Sequence, residues 1–223
     1  VTTAMKDVPT LGSSTLSAQV RQVGGRWEAL DLTLRTSNDE LNLPWVGVQT
    51  NPFNISAEMA PSFVSPELMK AIIPTVQTES SMYVQGEVQA TSDYINLNRA
   101  YVELGDSSAE VYLDLSTSEE IKIRELNLNN AQLNVKTLAR QLAPKRAAIF
   151  NDSDVAESWF NGIVRWSVIK DSTQVDINGV WNQSEVSARY SKNKSVEDIE
   201  VDVDNYPLNL ILPRAKEVVS GKA

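Results

Sequence analysis

The sequence predicts a mainly β protein whose strands follow one another as an antiparallel meander. Apolar residues recur at every second position in segment after segment, and turn-forming residues separate those segments. The connections are too short for crossovers between parallel strands. Each strand of this kind has one apolar face and one polar face.

Leu16, Ala18 and Val20 alternate with polar neighbours, and Leu30, Leu32 and Leu34 do so after Gly24-Gly25. Leu41 and Leu43 follow Ser37-Asn38-Asp39, and Phe53, Ile55, Ala57 and Met59 continue the pattern. Ser65-Pro66-Glu67 then opens a short helix, with a capping serine and a proline at the first helical position, and Pro74 stops it after Ile73. The alternation resumes in Met82, Val84, Gly86 and Val88, in Ile95 and Leu97, in Val102 and Leu104, and from Ala109 to Leu115. Ile121 and Ile123, then Leu126 and Leu128, precede a turn at Asn129-Asn130 and a second helix from Lys136 to Leu142 before Pro144. Val164 to Val168, Val175 and Ile177, Val186 to Tyr190, and Ile199 to Val203 complete the strands. Pro207 to Leu212 reads as a third helix or a further strand. About fifteen strands at ~4.8 Å would make one sheet some 70 Å long.

Pro74, Pro144 and Pro213 are almost evenly spaced, each after several strands. Residues 1–223 therefore read as one continuous repetitive unit with approximate repeats at 13–74, 80–144 and 155–213. The chain has no Cys and no His, which removes disulfides, thiolate and imidazole catalysis and most zinc, haem and iron–sulfur chemistry. We expect no enzyme, no cofactor and no metal. A net charge of −9 without a basic run gives no footprint for nucleic acid. No apolar stretch is long enough to cross a bilayer, and Val1 does not open a signal peptide, so the sequence reads as a piece of a longer chain.

A sheet with one apolar face must cover that face, and two or three short helices are too few. Two solutions stand side by side: a closed β-sandwich with a dry core, or a sheet curled lengthwise into a trough whose lining meets a ligand. The phrases Ile95-Asn-Leu-Asn-Arg-Ala-Tyr-Val-Glu-Leu-Gly105 and Ser108-Ala-Glu-Val-Tyr-Leu-Asp-Leu115 resemble the repeats of the AsmA-like superfamily, which includes TamB-like proteins. Trp27-Glu-Ala-Leu-Asp-Leu-Thr-Leu34, Asp198-Ile-Glu-Val-Asp-Val-Asp204 and Tyr206-Pro-Leu-Asn-Leu210 share that style. The resemblance implies an elongated taco-like β groove in the bacterial periplasm, with the membrane anchor in parts outside this fragment. It also implies phospholipid as cargo on the way to the outer membrane, and an outer-membrane barrel protein or client strands as partners.

Acyl chains leave water at about 0.8 kcal/mol per methylene, so an apolar lining needs no catalytic group to hold them. The candidate lining residues are Leu32, Leu34, Ile55, Val84, Ile95, Leu97, Val111, Leu113, Ile121, Ile123, Ile177, Val186, Ile199 and Val201. A different use of the same composition is an extracellular sandwich for adhesion or carbohydrate binding, with Trp27, Trp45, Trp159, Trp166 and Trp181 as stacking platforms and Trp166 and Trp181 meeting across a hairpin. Glu197, Asp198, Glu200, Asp202 and Asp204 form the densest acidic cluster. It lacks the glycine and terminal glutamate of a calcium loop and reads as a solvated face.

Overall fold

The computed structural model describes residues 14–72, 78–118, 122–142, 158–194 and 196–204. Its first strands are β1 (Thr15–Val23), β2 (Arg26–Arg35), β3 (Glu40–Thr50) and β4 (Phe53–Val64), followed by helix α1 (Pro66–Ile72). Next come β5 (Met82–Thr91), β6 (Tyr94–Leu104), β7 (Ser107–Ser116) and β8 (Lys122–Asn134), followed by α2 (Val135–Leu142). The last four are β9 (Trp159–Ile169), β10 (Ser172–Trp181), β11 (Ser184–Lys192) and β12 (Glu197–Val203). All twelve lie in one sheet in chain order, each antiparallel to its neighbours. β1 and β12 do not meet, so the sheet is open, and among the described residues no second sheet faces it. Among the described residues no closed sandwich forms.

The described residues form twelve strands where the alternation suggested fourteen, the fifteenth lying outside them, because β-bulges conceal continuity. Ile95 with Leu97 and Val102 with Leu104 look like two strands because their alternation changes phase. They belong to β6, where the pairings with β5 and β7 each slip by one residue around Arg99, whose φ is 46°. Ile123 and Leu126 likewise share β8, with a slip between them. Asn130, read as part of a turn, is a left-handed bulge residue inside β8, with φ of 47°. A bulge adds one residue, reverses the phase of alternation and bends its strand. The sheet at ~4.8 Å per strand is therefore about 53 Å long. The reading of Pro207 to Leu212 falls outside the described residues.

The bulges of β6 and β8 mark a crease along the sheet, and β9 and β10 continue it by a different device. These two strands pair without a slip, but Gly162 and Gly179 face each other where Ala131 of β8 meets Gly162. A Cβ on Gly162 would lie 2.3 Å from the Asn178 carbonyl oxygen and 2.6 Å from the Gly179 Cα, so the backbones approach where only hydrogen fits. The Phe160 ring covers both glycines. Ala109 and Ala131 near this line, and Ala100 one row closer to the middle of the sheet, are buried. Small residues thus line the crease, and larger apolar residues flank it.

Both helices sit on one lip, because β4 and β8 run in the same direction. Each helix starts from an analogous anchor. Ser65 caps α1 by accepting the Leu68 N–H, and Asn134 caps α2 by accepting the Thr137 N–H. The backbone N–H of Ser65 donates to Asp39 at 2.6 Å, and that of Asn134 donates to the Ser107 hydroxyl at 2.9 Å. Asp39 precedes β3 and Ser107 begins β7, so the turn between the second and third strands of each quartet positions the helix after the fourth. Burial acts to raise the Asp39 carboxyl, but the Ser65 N–H and the Thr36 hydroxyl outweigh it and hold the group below its ordinary range.

Dry packing is local. Leu68 and Met69 of α1 cover Val64, Val84, Met59, Met82, Val102 and Leu104. This is an end plug under one helix. Among the described residues, apolar burial on the rest of that face is confined to Phe160, Val186 and the small residues Ala100, Ala109 and Ala131, while Trp166, Ile123 and Ile199 are exposed.

Candidate functional site

Register fixes which side chains share a face, since residues opposite each other in a ladder point the same way. One row crosses all twelve strands: Val20, Ala29, Val46, Ala57, Val88, Leu97, Leu113, Leu126, Trp166, Val175, Tyr190 and Ile199, each paired with the next. On its open-lip side run Trp27, Val48, Ile55, Ala90, Ile95, Leu115 and Ile123. On its helix side run Ala100, Val111, Leu128, Val164, Ile177, Ala188 and Val201. The stripe is continuous from one free edge of the sheet to the other.

The adjacent row on the opposite face is polar: Ser56, Gln89, Asn96, Asp114, Glu125, Ser167, Gln174, Ser191 and Asp198. Its neighbours carry ion pairs, including Arg124 with Asp114 and Arg189 with Asp176, both at 3.0 Å. The Arg189 guanidinium holds the Asp176 carboxyl below the usual carboxylate range. Glu28 is buried on this face and lowered by Arg26 and then Arg21, with the Arg26 guanidinium also 5.2 Å from the Trp45 ring centre. Pairs of this kind keep the outer face in water and the apolar rows on the inside.

Apart from Ile121, which lies outside the described residues, every candidate lining residue falls on the apolar face. Leu34 and Leu32 oppose Leu41 and Leu43, and Ile55 opposes Val48. Leu97, Leu113 and Ile199 stand in the central row, while Ile95 and Ile123 lie on its open side and Val111, Ile177 and Val201 on its helix side. Val84 and Val186 are different, because both are buried and Val84 lies in the packed cluster at α1. At the other extreme Trp166 is 39% exposed and Ile199 65% exposed, which an apolar residue facing a dry core would not be.

The sequence reading missed Leu126, Trp166, Val175 and Tyr190 as members of the central row. It also placed Leu30 with Leu32 and Leu34, whereas Leu30 pairs with Trp45 on the polar face because Asp31, at φ 51°, belongs to the bulged stretch between them. Trp166 and Trp181 do not meet, since their partners on the facing hairpin strand are Val175 and Phe160. The tryptophans lie on both faces and form no common platform. In the acidic cluster, Asp198, Glu200 and Asp202 share the polar face and Glu197 lies on the apolar one. No group of three potential metal ligands gathers among the described residues, and no described helix is long and apolar enough to cross a membrane.

No protein-family model matches the chain, and neither does any curated protein or solved structure.

Proposed function

We propose that the chain holds the acyl chains of phospholipids along the apolar face of its trough, as a periplasmic segment of an AsmA-like or TamB-like protein serving lipid passage toward the outer membrane. The observation that carries this reading is the unbroken apolar row from β1 to β12. A row at least half open to solvent at its ends is costly in an isolated protein, since contiguous exposed apolar surface marks a place where something binds. Acyl chains fit it because they need neither hydrogen bonds nor a fixed register. One leaflet of hydrocarbon is about 15 Å thick, so a ~53 Å row has length for about three tails end to end.

A second use, receipt of client strands during outer-membrane barrel assembly, draws support from the free edges. Every residue of β1 is exposed, and among the described residues no strand pairs with its outer edge, where strand addition would occur. Lipid holding accounts for the length of the stripe, which edge pairing does not require.

The test is mass spectrometry of an organic extract of the chain purified without detergent. About one or more phospholipids per chain is expected. Lipid-free protein that also takes up no labelled phospholipid from vesicles would overturn the reading.

A further inference from the structure

Among the residues whose ladder pairings fix their face, only two charged side chains stand on the apolar face, Lys192 and Glu197. They are opposite each other across β11 and β12, two residues beyond the central row's Tyr190 and Ile199. Their Nζ and Oε2 atoms are 3.7 Å apart, both side chains are more than half exposed, and the Tyr190 hydroxyl donates to Glu197 Oε1 at 3.1 Å. Thr173 stands opposite Lys192 on β10 and Val168 opposite Thr173 on β9. On the open lip the row is apolar through Trp27, Val48, Ile55, Ala90, Ile95, Leu115 and Ile123 and polar at its two ends, uncharged at Gln22 of β1 and charged only here.

We infer that Lys192 and Glu197 are the headgroup station of the trough, taking respectively the phosphate and the ammonium of a zwitterionic phospholipid whose tail runs inward over Val175, Trp166 and Leu126. The inference rests on the lipid-holding reading above and adds where the lipid stands and which headgroup it carries. Distance favours it, since three strand spacings inward from β11 cover about 14 Å, close to the ~15 Å of one leaflet's tails. Tyr190 joins the two zones, with its ring in the apolar row and its hydroxyl on the carboxylate. An exposed ion pair contributes little to folding, so exchanging each partner for a lipid charge costs little. The surroundings select against a bare anion: Asp198, Glu200 and Asp202 stand on the other face of β12, and Lys194 at the same lip is engaged by Asp171 at 2.7 Å.

The experiment compares dodecylphosphocholine, dodecyl phosphate and dodecyl maltoside, each below its critical micelle concentration, by titration calorimetry on the full chain. Their tails are identical, so differences report the headgroup. The phosphocholine is expected to bind about fivefold tighter than the maltoside and tighter than the phosphate, and Lys192→Met or Glu197→Gln is expected to bring the phosphocholine-to-maltoside ratio near one. Circular dichroism checks that both variants keep the strand signal. Equal binding of all probes, or a preference that survives both substitutions, overturns the headgroup station while the trough reading stands. Failure of every probe to bind overturns both.

Discussion

With Leu113 and Leu126 both replaced by aspartate, the chain is expected to remain folded and to lose at least about nine-tenths of its bound lipid. The two residues face each other across β7 and β8 in the middle of the central row and are only partly buried. Carboxylates there keep contact with water, and the cost to the fold is the lower strand preference of aspartate, up to about 1 kcal/mol each. An acyl chain crossing that point would have to desolvate both charges, which breaks the continuity of the lining. Val84→Asp supplies the contrast. Val84 is 7% exposed beneath α1, so a carboxylate there is expected to cost about 3 kcal/mol or more of folding stability. Lipid quantification and urea unfolding on the same samples separate the two outcomes. Unfolding of the Leu113 and Leu126 variant to the extent seen for Val84→Asp would indicate a closed core at both positions.

Gly162→Val is expected to lower stability by about 3 kcal/mol, seen as a fall in the urea midpoint. Without a steric limit the sign would be opposite, because valine is favoured over glycine in strands and restricts the unfolded chain. The limit is backbone rather than side chain. An added Cβ meets the Asn178 carbonyl oxygen at 2.3 Å, and relief requires β9 and β10 to part. Gly179→Val should behave alike, since its Cβ would lie 2.3 Å from the Asn161 carbonyl oxygen. An unchanged or raised midpoint in both variants would show that the crease does not depend on close approach there.

Most of the fold was legible because alternation, turn residues and helix stops are local signals. The helix predicted from Ser65 to Ile73 is observed as Pro66–Ile72, and that from Lys136 to Leu142 as Val135–Leu142. What could not be read was phase. A bulge residue such as Arg99 or Asn130 has no compulsory identity, yet it decides whether the apolar positions on its two sides share a face. Leu30 was assigned to the wrong face for that reason. The crease was hidden differently: Gly162 and Gly179 look like unrelated glycines until the pairing of β9 with β10 brings them together. Glu197 reads in the sequence as a member of an acidic cluster, and only ladder parity separates it from Asp198, its neighbour on the opposite face, and sets it opposite Lys192. The charge pattern was visible in the sequence, whereas the face was a property of the register.

That parity permits a test at single-residue resolution. A benzophenone amino acid placed at Leu113 faces the trough, and the same group at Tyr112, one residue away on β7, faces the polar side with Asn127. After irradiation in cells and purification, a phospholipid adduct is expected at position 113 and none at position 112. Adducts at neither position, or equally at both, would mean that the apolar face of this sheet does not hold lipid.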